Sequence, residues 1–442
     1  MKPVRAYSLN GKFIVACLRS LLAMVYLFKG KQWQRPPANF HEDPAHYKIK
    51  DIIFFAYKYY FKPLEQFESN DIKGNLNFTF LKPNIEASDN RVTITAGGDL
   101  MPYEWVNSDY CKALWDDIGD DFFSGDIVIA NLETPINRIK PAAVVPELML
   151  NDMEFNGDAA MFDVFNGNSN YKGFDILSTA NNHSFDQGET GILNTIEFLN
   201  EREIHYTGTS ASETTVHDFP ILERNGIKIA FIACTYSLNH LQLPPGKAYL
   251  CNHIKLNQAN CDLSFIKKQV LLAHERGADI VVGSMHYGNA YQLFPGNHII
   301  DITKRLFDEC GLDILLGNHG HNLQPLIYHQ FVCPITQRSK QGLAAFCLGD
   351  FVAYDIFTWG HLPIWLKIEL AKTKNGVVLS DVTVNPIYVC GIYHSKLKRD
   401  LRLLNALRLW DAIAKSEDIS LPNFNIEEAK YLKKIFSNVF EK

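Results

Sequence analysis

An α/β fold is what this sequence predicts, and three observations carry the prediction. From Arg91 onward, short β-branched runs alternate with stretches of helical spacing, as they do in α/β domains. Five of those runs end in an acidic, carboxamide or imidazole side chain, at the edge where open α/β sheets place ligands. The chain has 442 residues, 47% of them hydrophobic and 21% charged, with 27 Gly and 19 Pro. That is ample for a sizeable core and unlike disordered, collagenous or low-complexity chains. A net charge of −6 lacks the basic excess that phosphate binding requires, so no nucleic-acid partner is expected.

Residues 1–90 read as an N-terminal extension, aromatic-rich and broken by Pro36, Pro37, Pro44, Pro63 and Pro83, with a helix over Asp51 to Phe61. Within it, Phe13 to Phe28 is apolar except for Arg19 and Ser20 and is bracketed by Lys12, Lys29 and Lys31. The run falls short of the ~20 apolar residues that span a bilayer. The bulky, basic residues after it lack the small-residue cleavage site of a secretory signal. Ile14, Leu18, Leu21, Val25 and Phe28 share helical spacing. A helix packed on the domain is the base-rate expectation; the sharper alternative is a peripheral membrane contact through residues 12–33. The nine cysteines are odd in number, scattered and free of any CxxC pair, which predicts reduced thiols and a cytoplasmic location, with membrane association the alternative if residues 12–33 make that contact.

The central domain is expected over residues 91–355. Its candidate strands are Val92 to Ala96, Ile127 to Asn131, Ile176 to Ala180, Ile229 to Cys234, Ile280 to Ser284, Ile314 to Leu316 and Ala344 to Leu348. Gly191 to Glu201, Leu263 to Glu275 and Ile300 to Cys310 carry helical spacing and read as crossovers. Residues 356–442 complete or flank the domain, with strands at Ile364 to Leu370 and Val377 to Val389, then helices at Lys396 to Ala414 and Ile426 to Phe440. Lys396, Lys398, Arg399, Arg402 and Arg408 are expected on a solvated helix face, opposite a core face of Leu401, Leu404, Leu407 and Trp410.

The chemistry gathers at the strand ends. Gly97-Gly98-Asp99 follows the first, Asn131-Leu132-Glu133 the second, Asn181-Asn182-His183 the third, Met285-His286 a later one, and Gly317-Asn318-His319-Gly320-His321 another. Asp99, Glu133, Asn182, His286, His319 and His321 make a mixed oxygen and imidazole donor set, suited to Mn, Zn or Fe and unlike the all-oxygen cages of Mg or Ca. Six donors exceed the need of one tetrahedral ion, so two divalent ions bridged by a carboxylate are expected. Such a pair polarises a phosphoryl or carbonyl oxygen and lowers the pKa of water, which predicts hydrolysis. Each residue also has a plain reading: Asp99 as a cap or turn former, Glu133 as a solvated carboxylate, Asn182 as a turn residue. The ordered pattern, not any single residue type, outweighs these. His319 and His321, two apart after an apolar strand, are expected with both rings on one side of an extended backbone.

These motifs resemble the poly-γ-glutamate capsule synthesis proteins of the CapA type, in the calcineurin-like metallophosphoesterase superfamily. The resemblance runs through Gly98-Asp99-Leu100-Met101, Asn131-Leu132-Glu133-Thr134-Pro135, Ala180-Asn181-Asn182-His183 with Asp186 and Gly188, Met285-His286-Tyr287-Gly288, Gly317-Asn318-His319-Gly320-His321 and Leu348-Gly349-Asp350-Phe351. It implies a calcineurin-like α/β/β/α sandwich with N- and C-terminal extensions. It implies that Asp99, Glu133 and His321 bind one metal, that Glu133, Asn182, His286 and His319 bind a second, and that His183 is the general acid. Asp186 is expected to support the site or the entry to the next helix. Two positions depart from the superfamily pattern. Met101 stands where a histidine ligand is usual, leaving one ion ligand-poor, and Asp350 stands where Asn is usual and would replace the lost ligand if it faces the metals. The implied substrate is a phosphoester or an anionic, amide-linked polymer, as a hydrolase or transferase of capsule biosynthesis. The alternative is a non-catalytic scaffold of a polymer synthesis or export complex.

Overall fold

The computed structural model describes residues 2–37, 40–69, 73–74, 76–86, 90–150, 153–395, 398–419, 421 and 424–441. Strand β1 (Asn90–Leu100) buries Val92, Ile94 and Ala96 in one apolar cluster. Strand β2 (Ile127–Leu132) adds Ile127 and Ile129 to that cluster but turns Val128 and Ala130 into a second one. Successive strand side chains face opposite ways, so a strand apolar at every position must be covered on both sides. Each fully buried Ile or Val contributes roughly 1.5–3 kcal/mol toward that covering.

The second cluster is roofed by three helices: α3 (Gly119–Phe122), between β1 and β2, then α4 (Ala159–Phe165) and α5 (Gly188–Glu201). β3 (Ile176–Ser178) and β4 (His205–Thr207) extend the sheet in parallel beyond β2. The second sheet is formed by β5 (Ile221–Arg224), β6 (Ile227–Thr235), β7 (Ile280–His286), β8 (Ile314–Asn318), β9 (Leu326–Val332) and β10 (Ser339–Ala345), in the order β5-β6-β7-β8-β10-β9. Its core strands run parallel and its two edge strands antiparallel. Helices α6 (Ser264–Glu275) and α7 (Asn297–Asp308) place Ile266, Val270, Ile302 and Leu306 against it. β1 packs on β6 and β8 across the shared first cluster. The result is the expected four-layered α/β/β/α sandwich.

The residues after 355 enter the first sheet. β11 (Ile364–Thr373) pairs antiparallel with β1, followed by β12 (Gly376–Ser395) and β13 (Lys398–Asn405), giving the order β13-β12-β11-β1-β2-β3-β4. The helix expected from Lys396 to Ala414 is therefore a strand and then helix α8 (Ala406–Ala414); Lys396 itself lies outside the described residues. Leu401 and Leu403 are buried at a spacing of two, the signature of a strand, and Asn405 caps the helix through Arg408 N–H at 3.0 Å. Arg399, Arg402 and Arg408 pair with Glu104, Asp400 and Asp117 and do not form one solvated helix face. Leu407, expected in the core, is exposed, whereas Trp410 is buried and bonds Ala429 O of α9 (Ile426–Phe440). The strand expected at Ala344 to Leu348 begins earlier, at Ser339. Its polar first half pairs with the edge strand β9 and so carries no apolar signal.

In the N-terminal segment, Ser8 caps α1 (Leu9–Lys29), and α2 (Ile49–Ala56) continues into a π turn over Tyr57–Phe61. Helix α1 is longer than the apolar run inside it, because the Ser8 cap starts it at Leu9. Its 21 residues are long and apolar enough to cross a membrane by length and composition, although the apolar run alone falls short. It seats Gly11, Val15 and Leu22 on the protein and leaves Leu9, Phe13, Leu27 and Phe28 more than 70% exposed. All nine cysteines are free thiols, and Cys17 alone is exposed.

Candidate metal centre

The carboxyl ends of β1, β2 and β3 in one sheet and of β7 and β8 in the other meet at one rim. A change of register against β2 between Ala96 and Asp99 sets the direction of Asp99. This bulge needs Gly98, since a Cβ there would stand 2.0 Å from Gly349 O. Asp99 N–H donates to that same carbonyl at 3.0 Å, and Asp99 O accepts from Phe351 N–H at 2.8 Å. The strand end is thereby tied to the loop that carries Asp350.

Donor atoms of Asp99, Glu133 and His286 all lie within 4.8 Å of one another, and all three residues are buried. His286 Nε2 is 2.7 Å from Asn182 Oδ1 and 3.5 Å from Glu133 Oε1. Asn131, unassigned by the sequence, donates to Asp99 Oδ1 at 2.7 Å and lies 3.3 Å from His286 Nδ1. His319 N–H donates to Asp99 Oδ2 at 3.1 Å, and the rings of His286 and His319 are 5.1 Å apart. His321 Nδ1 is 3.0 Å from Asp350 Oδ1, and its ring stacks on Tyr291. All six predicted donors thus reach the same rim. The His319 and His321 rings are 5.8 Å apart, but the backbone between them is not extended: φ is +90° at His319 and +56° at His321. A tight turn beyond β8, rather than strand geometry, brings the two rings together.

At Asp99, Glu133 and His286 electrostatics favour a cation. Burial and the nearby Asp350 carboxyl push Asp99 up to about 6. Burial with Asp99 and Asp350 raises Glu133 well above its ordinary range. Burial and then the neighbouring imidazoles hold His286 neutral, the form that ligates metal. Burial lowers His321, but Asp350 outweighs it and brings His321 to about 9. Both Glu133 oxygens, Asp350 Oδ2 and His319 Nδ1 are buried with no hydrogen-bond partner. Buried orphan acceptors are costly, and a divalent ion beside Asp99 and His286 would satisfy the two Glu133 oxygens. The donor set therefore fits a metal ion at Asp99, Glu133 and His286. Met101 supplies nothing: it is buried in the second apolar cluster.

His183 sits beside the donors, stacked on Phe155 with ring centroids 3.7 Å apart. Its Nδ1 meets Asp186 Oδ2 at 2.6 Å, and that oxygen also accepts Phe155 N–H at 2.6 Å. Asn181 is a brace: its Nδ2 donates to Leu132 O at 2.7 Å and its Oδ1 accepts His183 N–H at 3.1 Å. A cleft of about 420 Å³ opens alongside, lined in part by Glu42, Tyr236, Asn239, His253 and Lys255.

Sequence reasoning missed two contacts of His319. Tyr236 Oη and Glu42 Oε1 each lie 3.0 Å from His319 Nε2. Tyr236 follows β6 directly, so the strand-end rule could have found it. Glu42 lies in irregular chain with no periodic or motif signal. Burial would push the Glu42 carboxyl up, but Lys58 and His319 outweigh it and hold it at about 2.

The bacterial capsule synthesis protein family PGA_cap matches residues 93–355, more than half of the chain. The chain is similar to the capsule biosynthesis protein CapA of Bacillus anthracis, 28% identical over 217 residues, covering 48% of this chain and 47% of that protein. It is similar to the PGA biosynthesis protein CapA of Bacillus subtilis strain 168, 25% identical over 229 residues, covering 51% and 54%. The chain spans about half the length of the curated relatives it matches. Among solved structures it is similar to a hypothetical protein from Thermus thermophilus, 16% identical, covering 66% of this chain and 98% of that one at a TM-score of 0.36. It is also similar to the calcineurin-like phosphoesterase YfkN from Bacillus subtilis, 12% identical, covering 80% and 98% at a TM-score of 0.36. With the family's match running from inside β1 to just before β11, the chain belongs to the bacterial capsule synthesis protein family PGA_cap.

Proposed function

We propose that this protein is a metal-dependent hydrolase of capsule biosynthesis, acting on a phosphoester or on an amide-linked polymer such as poly-γ-glutamate. One observation carries the reading: a buried Asp99, Glu133 and His286 donor set, beside the His183–Asp186 pair, at the rim where both sheets end. A bound divalent ion would supply Lewis-acid polarisation of the scissile group. Asp99, Glu133 and His286 would hold it, and Asn182, His319 and His321 extend the donors toward a second ion of Mn, Zn or Fe type. Asp186 accepts from Nδ1 of His183 and stabilises its protonated ring, leaving Nε2–H to protonate a leaving group. Phe155 fixes the plane of that ring and shields one face from water.

The test is elemental analysis of the purified protein alongside a Mn-supplemented hydrolysis screen over phosphoesters and γ-glutamyl peptides, with His286→Ala for comparison. Bound metal and turnover that the substitution abolishes support the hydrolase. Absence of both would leave the non-catalytic scaffold, the reading favoured by Met101 standing in apolar packing where a ligand is usual.

The exposed apolar side of α1 supports a membrane contact through residues 12–33. Leu9, Phe13, Leu27 and Phe28 face away from the protein, and Lys12, Lys29 and Lys31 are exposed at the helix ends. Phe13→Glu with Leu27→Glu should abolish co-sedimentation with anionic vesicles; unchanged sedimentation would refute the contact.

A further inference from the structure

We infer that Glu42, carried by the segment that precedes the family domain, is a positioning residue for the metal centre: its carboxylate orients His319 so that Nδ1 faces the second ion. The inference rests on the metal centre proposed above and deepens it. His319 is buried, and its two ring nitrogens differ sharply. Nε2 is 3.0 Å from both Glu42 Oε1 and Tyr236 Oη, whereas Nδ1 has no hydrogen-bond partner. A neutral imidazole has one N–H and one lone pair, and an ionised carboxylate only accepts. The proton therefore sits on Nε2 and the lone pair on Nδ1.

Glu42 is held from several directions. Its Oε2 accepts Ala290 N–H at 3.0 Å and faces Lys58 Nζ at 3.5 Å. Lys58, fully buried, also donates to Ala290 O at 2.7 Å. The backbone of Glu42 donates to Asn289 Oδ1 and accepts from Asn257 Nδ2, both at 3.0 Å. A buried ion pair is a poor way to gain stability, since the two desolvation costs rival the attraction. A simple anchor would be served as well by apolar side chains. Here the carboxylate engages one nitrogen and the other is left with a free lone pair. That is the carboxylate–histidine–metal arrangement by which outer residues fix the tautomer of a ligand. Glu42 and its partner Lys58 thereby belong to the centre, although they precede the matched family region.

The experiment uses the full-length protein stripped of metal, with Mn(II) or Zn(II) alone as the probe in chelator competition. Glu42→Ala is expected to weaken binding roughly 10–100-fold. Removal of both buried charges in Glu42→Leu/Lys58→Met guards against a mere folding defect: the double variant should melt no lower than wild type yet bind metal as weakly as Glu42→Ala. Adding Glu42→Ala to His319→Ala should cause no further loss. Nitrogen-15 histidine spectra of the apo protein should show His319 protonated at Nε2 in wild type and as a tautomer mixture in the double variant. If the folded double variant binds within about twofold of wild type while His319→Ala binds weakly, the inference falls and the metal centre stands. If wild type binds neither ion, both fall together.

Discussion

His286 Nε2 and Asn182 Oδ1 stand 2.7 Å apart although 104 residues separate them, because one ends β7 and the other follows β3 in the opposing sheet. The candidate centre is thus shared between the two sheets, with Asp99 and Glu133 from one and His286 from the other. His286→Ala should lower Mn(II) affinity by more than the roughly 10–100-fold that outer-shell partners command. Asn182→Ala should fall within that range or beyond it. Chelator competition measures both, and wild-type affinity in His286→Ala would contradict the placement.

His183→Ala should lower kcat by about 10²–10⁴-fold while metal content stays at the wild-type level, since general acid catalysis contributes that much. Asp186→Asn should follow in the same direction, because the carboxamide cannot stabilise a charged imidazole as the carboxylate does at 2.6 Å. Substrates with a better leaving group should recover much of the loss. Equal losses for good and poor leaving groups would remove His183 from that role.

Gly98→Ala should destabilise the fold by roughly 1–3 kcal/mol, the usual cost of forcing a methyl into filled space. The added carbon would meet Gly349 O at 2.0 Å, and neither backbone can retreat without moving Asp99 or Asp350. A lower urea midpoint with unchanged slope, together with weaker metal binding, is the expected pair of results.

Acid should loosen the protein through His298. Its ring is buried and stacked on His41 at 4.1 Å; burial first, and then His41, pull it down to about 3. The unfolded chain therefore binds a proton near pH 6.5 that the folded chain refuses. This stability is present above about pH 6.5 and is lost as pH falls toward about 3, a change of roughly 5 kcal/mol at most. His298→Asn should flatten the stability profile across that window in urea titrations between about pH 4 and 7; an unaltered slope would assign the acid sensitivity elsewhere.

The strand ends were legible because apolar β-branched runs stop where polar side chains begin, so Asp99, Glu133, Asn182, His286, His319 and His321 could be named from spacing and order. Errors arose where packing overrode local pattern. Residues 398–405 carry helix formers, yet pairing with β12 makes them a strand that buries Leu401 and Leu403. Strand β9 and the first half of β10 lie at a sheet edge and lack the continuous apolar signature of a buried strand.

By itself, the sequence determined the α/β class and which polar side chains stand at the strand ends, since each follows from residue type and local order. Only the tertiary structure decided that β11 from beyond residue 355 would lie beside β1, that His319 and His321 would meet through a tight turn, and that Glu42 would reach His319 from 277 residues away. The reason is physical: local pattern encodes which face of an element is apolar. Which distant face it meets depends on burying charge and volume together, and a lone glutamate gives no sign of that until its lysine and its histidine surround it.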